Sequence, residues 1–174
     1  MIRRLAVFAS RNELAEPDEL IAAHRIGSLL GENAMTLIYD GALSGPIGTV
    51  VETVRQAGGR LHPIEAPSVD VWRSEVGAMA DGFVGLPGGF DSLEAAFDVW
   101  TWGGAGRQQP LGLLDQGDYY SALLRHGSDD AVDRFVVESQ RGRLILAKDA
   151  ADLLRRMSDY RPPETRRDTS YDDD

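Results

Sequence analysis

Gly82-Phe83-Val84-Gly85-Leu86-Pro87-Gly88-Gly89-Phe90-Asp91-Ser92-Leu93-Glu94 has the pattern of a strand, a tight turn and the start of a helix. Its first five residues form a short apolar run, long enough for one buried strand and too short for a helix. A Pro-Gly-Gly turn follows, and from Asp91 onward the apolar residues recur at helical spacing. Gly88 and Gly89 can take backbone conformations closed to other residues, which brings main-chain N–H groups to the start of the helix, a place that suits phosphate or another anion.

The same unit repeats on both sides of this stretch. Short apolar runs at 5–9, 35–39, 60–64, 110–114 and 143–147 are expected strands. Amphipathic stretches at 18–30, 46–56, 69–80, 91–102, 119–126, 130–138 and 150–157 are expected helices. Strands alternating with helices predict an α/β protein: a single doubly wound, Rossmann-like domain with a mostly parallel sheet flanked by helices. Residues 1–158 make this domain. The Pro-rich, charged residues 159–174, with Tyr160 and Tyr171 their only apolar members, read as a disordered tail.

Composition narrows the chemistry. With 174 residues, 43% of them hydrophobic, one core is expected. Zero cysteines exclude disulfides, thiolate metal sites and thiol nucleophiles. The segment IRRLAVFAS is too short and too charged for a membrane span or signal peptide, so a cytoplasmic protein is expected. A formal charge of −10 argues against a nucleic-acid partner, which would require phosphates to be neutralised by Lys and Arg. A small-molecule ligand is the expectation, with no cofactor and no membrane partner. His24, His62 and His126 lack metal-ligand spacing, so no metal site is assigned.

In doubly wound sheets ligands bind beyond the carboxyl ends of the strands. The turns there are 10–13, 40–48, 65–68, 87–92 and 115–117, and two are glycine-rich. Asp40-Gly41-Ala42-Leu43-Ser44-Gly45-Pro46-Ile47-Gly48 repeats the device of the Pro-Gly-Gly turn, with Pro46 suited to the first position of a helix. Ordinary tight connections would look similar, and neither turn matches GxGxxG or a P-loop. The expected ligand-binding residues are Gly41, Ser44, Gly45 and Gly48 in the second turn, and Pro87, Gly88, Gly89, Phe90 and Ser92 in the fourth.

LPGGFDSLEAAFDVWTW resembles the PGGxGTxxE signature of the LOG family, also called lysine-decarboxylase-like. VFAS, LIYDGALSGPIG, MADGFVGLPGG and QPLGLLDQGDYYSALL extend the likeness over about residues 2–157. The resemblance implies a parallel-sheet protein, usually a homodimer, whose best-known relatives hydrolyse the N-glycosidic bond of cytokinin riboside 5′-monophosphate to free base and ribose 5-phosphate. It implies nothing about lysine decarboxylation here, since Lys148 is the only lysine.

The departures bear on activity. Ser92 keeps a hydroxyl at the motif Thr, but Asp91 replaces a glycine and Ala95 stands where the family has its catalytic Glu. Counting back through MADGF, the family's catalytic Arg falls on Trp72 and its Lys on Arg73. Asp40 replaces one glycine of the second turn, and HPIEAPSVDVW is shorter than the family's crossover. Cleavage of an N-glycosidic bond develops positive charge on the ribose, so a carboxylate there and a cation near the phosphate stabilise the transition state. Glu94, Arg73 and Asp91 are the candidate substitutes, with Asp40 a further carboxylate. A one-residue step on a helix turns a side chain by about 100°, which sets Glu94 and Arg73 off the family's direction. Asp91 serves equally as an N-cap, the role favoured here.

The aromatic run Phe97, Trp100 and Trp102, with Val99, is assigned to core or dimer packing. Of Tyr119 and Tyr120, one is expected to pack and the other to edge the ligand. The functional expectation is a divergent member of this family that binds a nucleotide or nucleoside-like molecule at the PGG loop. Either it hydrolyses an N-glycosidic bond, or it is a non-catalytic binding protein or sensor.

Overall fold

A computed structural model describes residues 2–101, 108–126 and 142–162. Among these residues six strands form one sheet: β1 (Arg4–Phe8), β2 (Thr36–Tyr39), β3 (Arg60–Pro63), β4 (Gly82–Gly85), β5 (Leu111–Leu114) and β6 (Leu144–Ala147). Their order is β3-β2-β1-β4-β5-β6, and every pairing is parallel. The chain starts at the centre, builds outward to β3, returns to β4 beside β1 and builds outward again. The strand order therefore reverses between β1 and β4.

The helices are α1 (Pro17–Glu32), α2 (Gly45–Gln56), α3 (Val69–Met79), α4 (Phe90–Thr101), α5 (Tyr119–His126) and α6 (Ala150–Asp159). The expected helix at 130–138, Trp102 and the tail from 163 lie outside the described residues. The boundaries follow local chemistry. Pro17 and two acidic residues open α1. Ser68 caps α3 by accepting from the Val71 N–H at 3.4 Å. Asp149 caps α6 by accepting from the Ala151 and Asp152 N–H groups at 2.9 and 3.0 Å.

Alternation along β1 shows why the sheet is covered on both sides. Successive side chains point to opposite faces. Leu5 and Val7 join Leu37, Val84, Ile26, Leu30, Val50 and Leu153 in one core, under α1, α2 and α6. Ala6 and Phe8 join Ile38, Phe83, Val76, Val99, Trp100 and Tyr120 in the other, under α3, α4 and α5. Each fully buried Leu, Ile or Phe contributes roughly 1.5–3 kcal/mol of transfer free energy. Glycine lets α1 approach α2 closely, since a Cβ on Gly31 would stand 2.2 Å from that of Ala57. No described helix is long and apolar enough to cross a membrane.

Candidate functional site

A cleft of about 550 Å³ opens at the carboxyl edge of the sheet, where the strand order reverses and where a doubly wound sheet binds its ligands. The end of β1 gives its floor through Val7, Phe8 and Ala9. Ile47 from α2, Ile64 beyond β3 and Trp72 from α3 complete an apolar wall. The Trp72 ring sits 5.7 Å from that of Phe8, tilted by 59°. Facing it are the first turns of α4, with Asp91, Ser92, Glu94, Ala95 and Asp98.

Among the described residues, the acidic and basic side chains that line the cleft are mostly carboxylates: Asp40, Glu65, Asp91, Glu94 and Asp98, against the guanidinium of Arg11. Arg11 pairs with Asp40 across the mouth. Arg73 pairs with Asp98 and reaches Asp70 at 3.6 Å. The hydrogen bond to Asp98 is the main cause that holds the Arg73 guanidinium above its ordinary pKa. The carboxylates do not gather into a metal-holding cluster among the described residues.

Asp91 is not the N-cap of α4, contrary to the sequence reading. The first intrahelical bond runs from Leu93 N–H to the Gly89 carbonyl at 3.3 Å, which makes Gly89 the cap and places Asp91 inside the first turn. One Asp91 oxygen accepts from the Ser92 N–H at 2.9 Å, and the other from the Arg11 N–H at 3.1 Å. The Ser92 hydroxyl donates to the Gly89 carbonyl at 2.9 Å. Asp91 therefore ties the first βα turn to the fourth.

Of the residues expected at the site, the cleft brings together Asp91, Ser92 and Glu94. Pro87, Gly88, Gly89 and Phe90 form the loop behind them, with the Phe90 side chain 90% exposed. In the second turn, Asp40 and Ile47 line the cleft, whereas Gly41, Ser44, Gly45 and Gly48 do not. The Ser44 hydroxyl donates to the Arg11 carbonyl at 3.1 Å. Gly45 has φ +61, and a Cβ there would lie 2.6 Å from the Asn12 carbonyl oxygen. Lys148 pairs with Asp118 at 2.7 Å, away from the cleft.

Both tyrosines of α5 pin the PGG loop. Tyr120, 1% exposed, donates its hydroxyl to the Leu86 carbonyl at 2.6 Å, and Tyr119 donates to the Gly88 carbonyl. Burial raises the pKa of each phenol, so both are donors at neutral pH. Asp115 caps α5, accepting from the Tyr120 and Ser121 N–H groups at 2.8 and 2.9 Å. Arg11, Glu65 and Asp98 also line the cleft, although no motif marks them in the sequence. The signal for the first two was position, since every βα turn of such a sheet ends on the same edge. For Asp98, helical spacing carried it: it lies four residues after Glu94 and shares its face.

Fold and cleft together define a parallel α/β protein with an open cleft at its topological switch point. A family model described as "Possible lysine decarboxylase" matches residues 41–157, and the chain belongs to that family, the LOG family of the sequence reading. It is 30% identical over 181 residues to the cytokinin riboside 5′-monophosphate phosphoribohydrolase LOG7 of Arabidopsis thaliana, covering 92% of this chain and 83% of the relative. It is 29% identical to a rice protein (Oryza sativa subsp. japonica) described as a probable enzyme of the same activity, LOGL9, covering 92% and 79%. The molybdenum cofactor carrier protein of Chlamydomonas reinhardtii shares the fold, with TM-score 0.64 at 14% identity over 90% of this chain and 96% of that one.

Proposed function

We propose that the cleft binds a nucleotide or nucleoside-like molecule, and that the chain lacks the hydrolytic efficiency of its phosphoribohydrolase relatives. One observation carries this reading. Trp72 and Ala95, the positions that the family resemblance assigns to a catalytic Arg and Glu, line the same cleft. Their replacements bring neither a cation nor a carboxylate. An indole and an apolar wall suit the flat face of a base, and the carboxylates opposite can accept from ribose hydroxyls.

Loss of either catalytic group removes transition-state stabilisation worth about 10²–10³ in rate. Chromatographic release of free base from AMP and isopentenyl-AMP should therefore stay at least about 10²-fold below that of the Arabidopsis relative assayed alongside. Turnover equal to the relative's would overturn the reading. A second reading has its own support, because Glu94 lines the cleft beside Ala95: hydrolysis with Glu94 as the carboxylate. Slow base release abolished by Glu94→Gln would favour it.

The protein is further proposed to be a cytoplasmic homodimer that pairs near α4, where Phe90 and Phe97 are exposed. Light scattering that gives 19.0 kDa at micromolar concentration would remove the dimer.

A further inference from the structure

The first turn of α4 is where the fold would receive an anion, because its leading N–H groups and its dipole point out of the carboxyl edge. That place already holds a negative group. The Asp91 carboxylate accepts from the Ser92 N–H at 2.9 Å and from the Arg11 N–H at 3.1 Å, so two main-chain donors from two turns converge on it.

The surroundings repeat the message independently. Asp40, Glu65, Glu94 and Asp98 line the same cleft, and the guanidinium of Arg11 is engaged by Asp40. The Asp91 charge is felt beyond the cleft as well. Burial is the main cause that raises the carboxyl pKa of Glu19, with Glu16 and Asp91 adding to it. A phosphate dianion entering here would meet Asp91, Glu65 and Glu94, while the guanidinium groups of Arg11 and Arg73 are already engaged by Asp40 and Asp98. An uncharged ligand carrying hydroxyls meets acceptors instead.

We propose that Asp91 is a built-in anion that sets ligand class, so that the cleft takes an uncharged N-riboside and refuses its 5′-monophosphate. This rests on the reading of the cleft as a nucleoside or nucleotide site and narrows it. Asp91 selects by occupying donors and by repulsion; it takes part in no bond-making step.

The test is calorimetric titration of the full chain with adenosine, guanosine, cytidine and uridine, with the 5′-monophosphate of each, and with ribose 5-phosphate. Wild type, Asp91→Asn and Asp91→Gly are compared. Asn keeps an oxygen for the Ser92 N–H and removes the charge, and thermal melting confirms that each variant is folded. The expected result is wild-type binding of at least one nucleoside about tenfold or more tighter than its monophosphate. In Asp91→Asn the monophosphate should gain roughly tenfold or more while the nucleoside changes little, a modest size for one unit charge a few ångströms from a phosphate. A wild type that prefers the monophosphate, or a preference unmoved in both variants, overturns the proposal and leaves the binding reading standing. Failure of every ligand to bind any of the three proteins overturns both.

Discussion

The two glycine-rich turns look alike in the sequence and do different work. In the second, the α2 N-terminus is closed by its neighbours: Ile47 N–H donates to the Ser10 carbonyl at 3.1 Å, Pro46 has no N–H, and the Ser44 hydroxyl donates to the Arg11 carbonyl. Gly45 is there because the 10–13 turn crosses so near that a side chain would strike it. In the fourth turn, the loop is held from behind by Tyr119 and Tyr120, and its helix presents Asp91, Ser92 and Glu94 to the cleft. Glycine in a βα turn reports that something comes close. Whether that is a ligand or another loop depends on where the N–H groups go.

The largest effect should come from Gly45→Ala. It combines a left-handed φ with a backbone contact of 2.6 Å, so denaturant unfolding should show a loss of about 2–4 kcal/mol. A loss under about 1 kcal/mol would mean that the two loops part easily, and the contrast between the turns would fail.

A middle-sized effect is expected at the opposite edge of the sheet, where Asp81 does for the strand starts what Asp91 does for the strand ends. It accepts from the Arg3 and Arg4 N–H groups, both at 2.9 Å, and from the Arg4 guanidinium at 2.8 Å. Burial opposes its ionisation, yet these donors outweigh burial and hold its pKa below the usual carboxylate value. Asp81→Ala should cost about 1–2 kcal/mol at pH 7. A lowered folded pKa means that the stabilisation is full above the unfolded value of about 3.9 and fades as pH falls through the folded one. Urea unfolding of both proteins at pH 7 and at about pH 3 should show the gap closing; a gap that widens in acid would reverse the sign assigned here.

The smallest effect is expected at Gly89→Ala. No left-handed φ is required there, and the new methyl would meet the movable Asp91 carboxylate at 3.1 Å and the Ser10 hydroxyl at 3.4 Å. Ala is a poorer cap than Gly, so a loss of about 0.5 kcal/mol is expected in the same unfolding assay. A loss as large as that at Gly45 would erase the difference between the turns.

Most of the fold was legible because burial on two faces writes itself as short apolar runs, and alternation with helical periods leaves few topologies. All six expected strands form, with ends shifted by a residue or so. The site was legible in part. Trp72 and Ala95 could be placed by counting from the PGG loop, and the cleft holds both. The packing role of Gly45 was hidden because its partner, Asn12, is 33 residues away in sequence, and nothing local announces a loop crossing. The position of Asp91 turned on where the first helical turn begins, a shift of the cap from Asp91 to Gly89 that pattern does not resolve. Glu65 went unread because the third turn carries no glycine signal.

The turn at 10–13 binds both of these regions at once. Its Arg11 N–H goes to Asp91, its Arg11 carbonyl to Ser44, its Arg11 guanidinium to Asp40, and Ser10 receives Ile47. The turn therefore ties α4 to the start of α2 across the line where the two halves of the sheet meet, in addition to the β1–β4 pairing. A substitution that released Arg11 would loosen both turns at once.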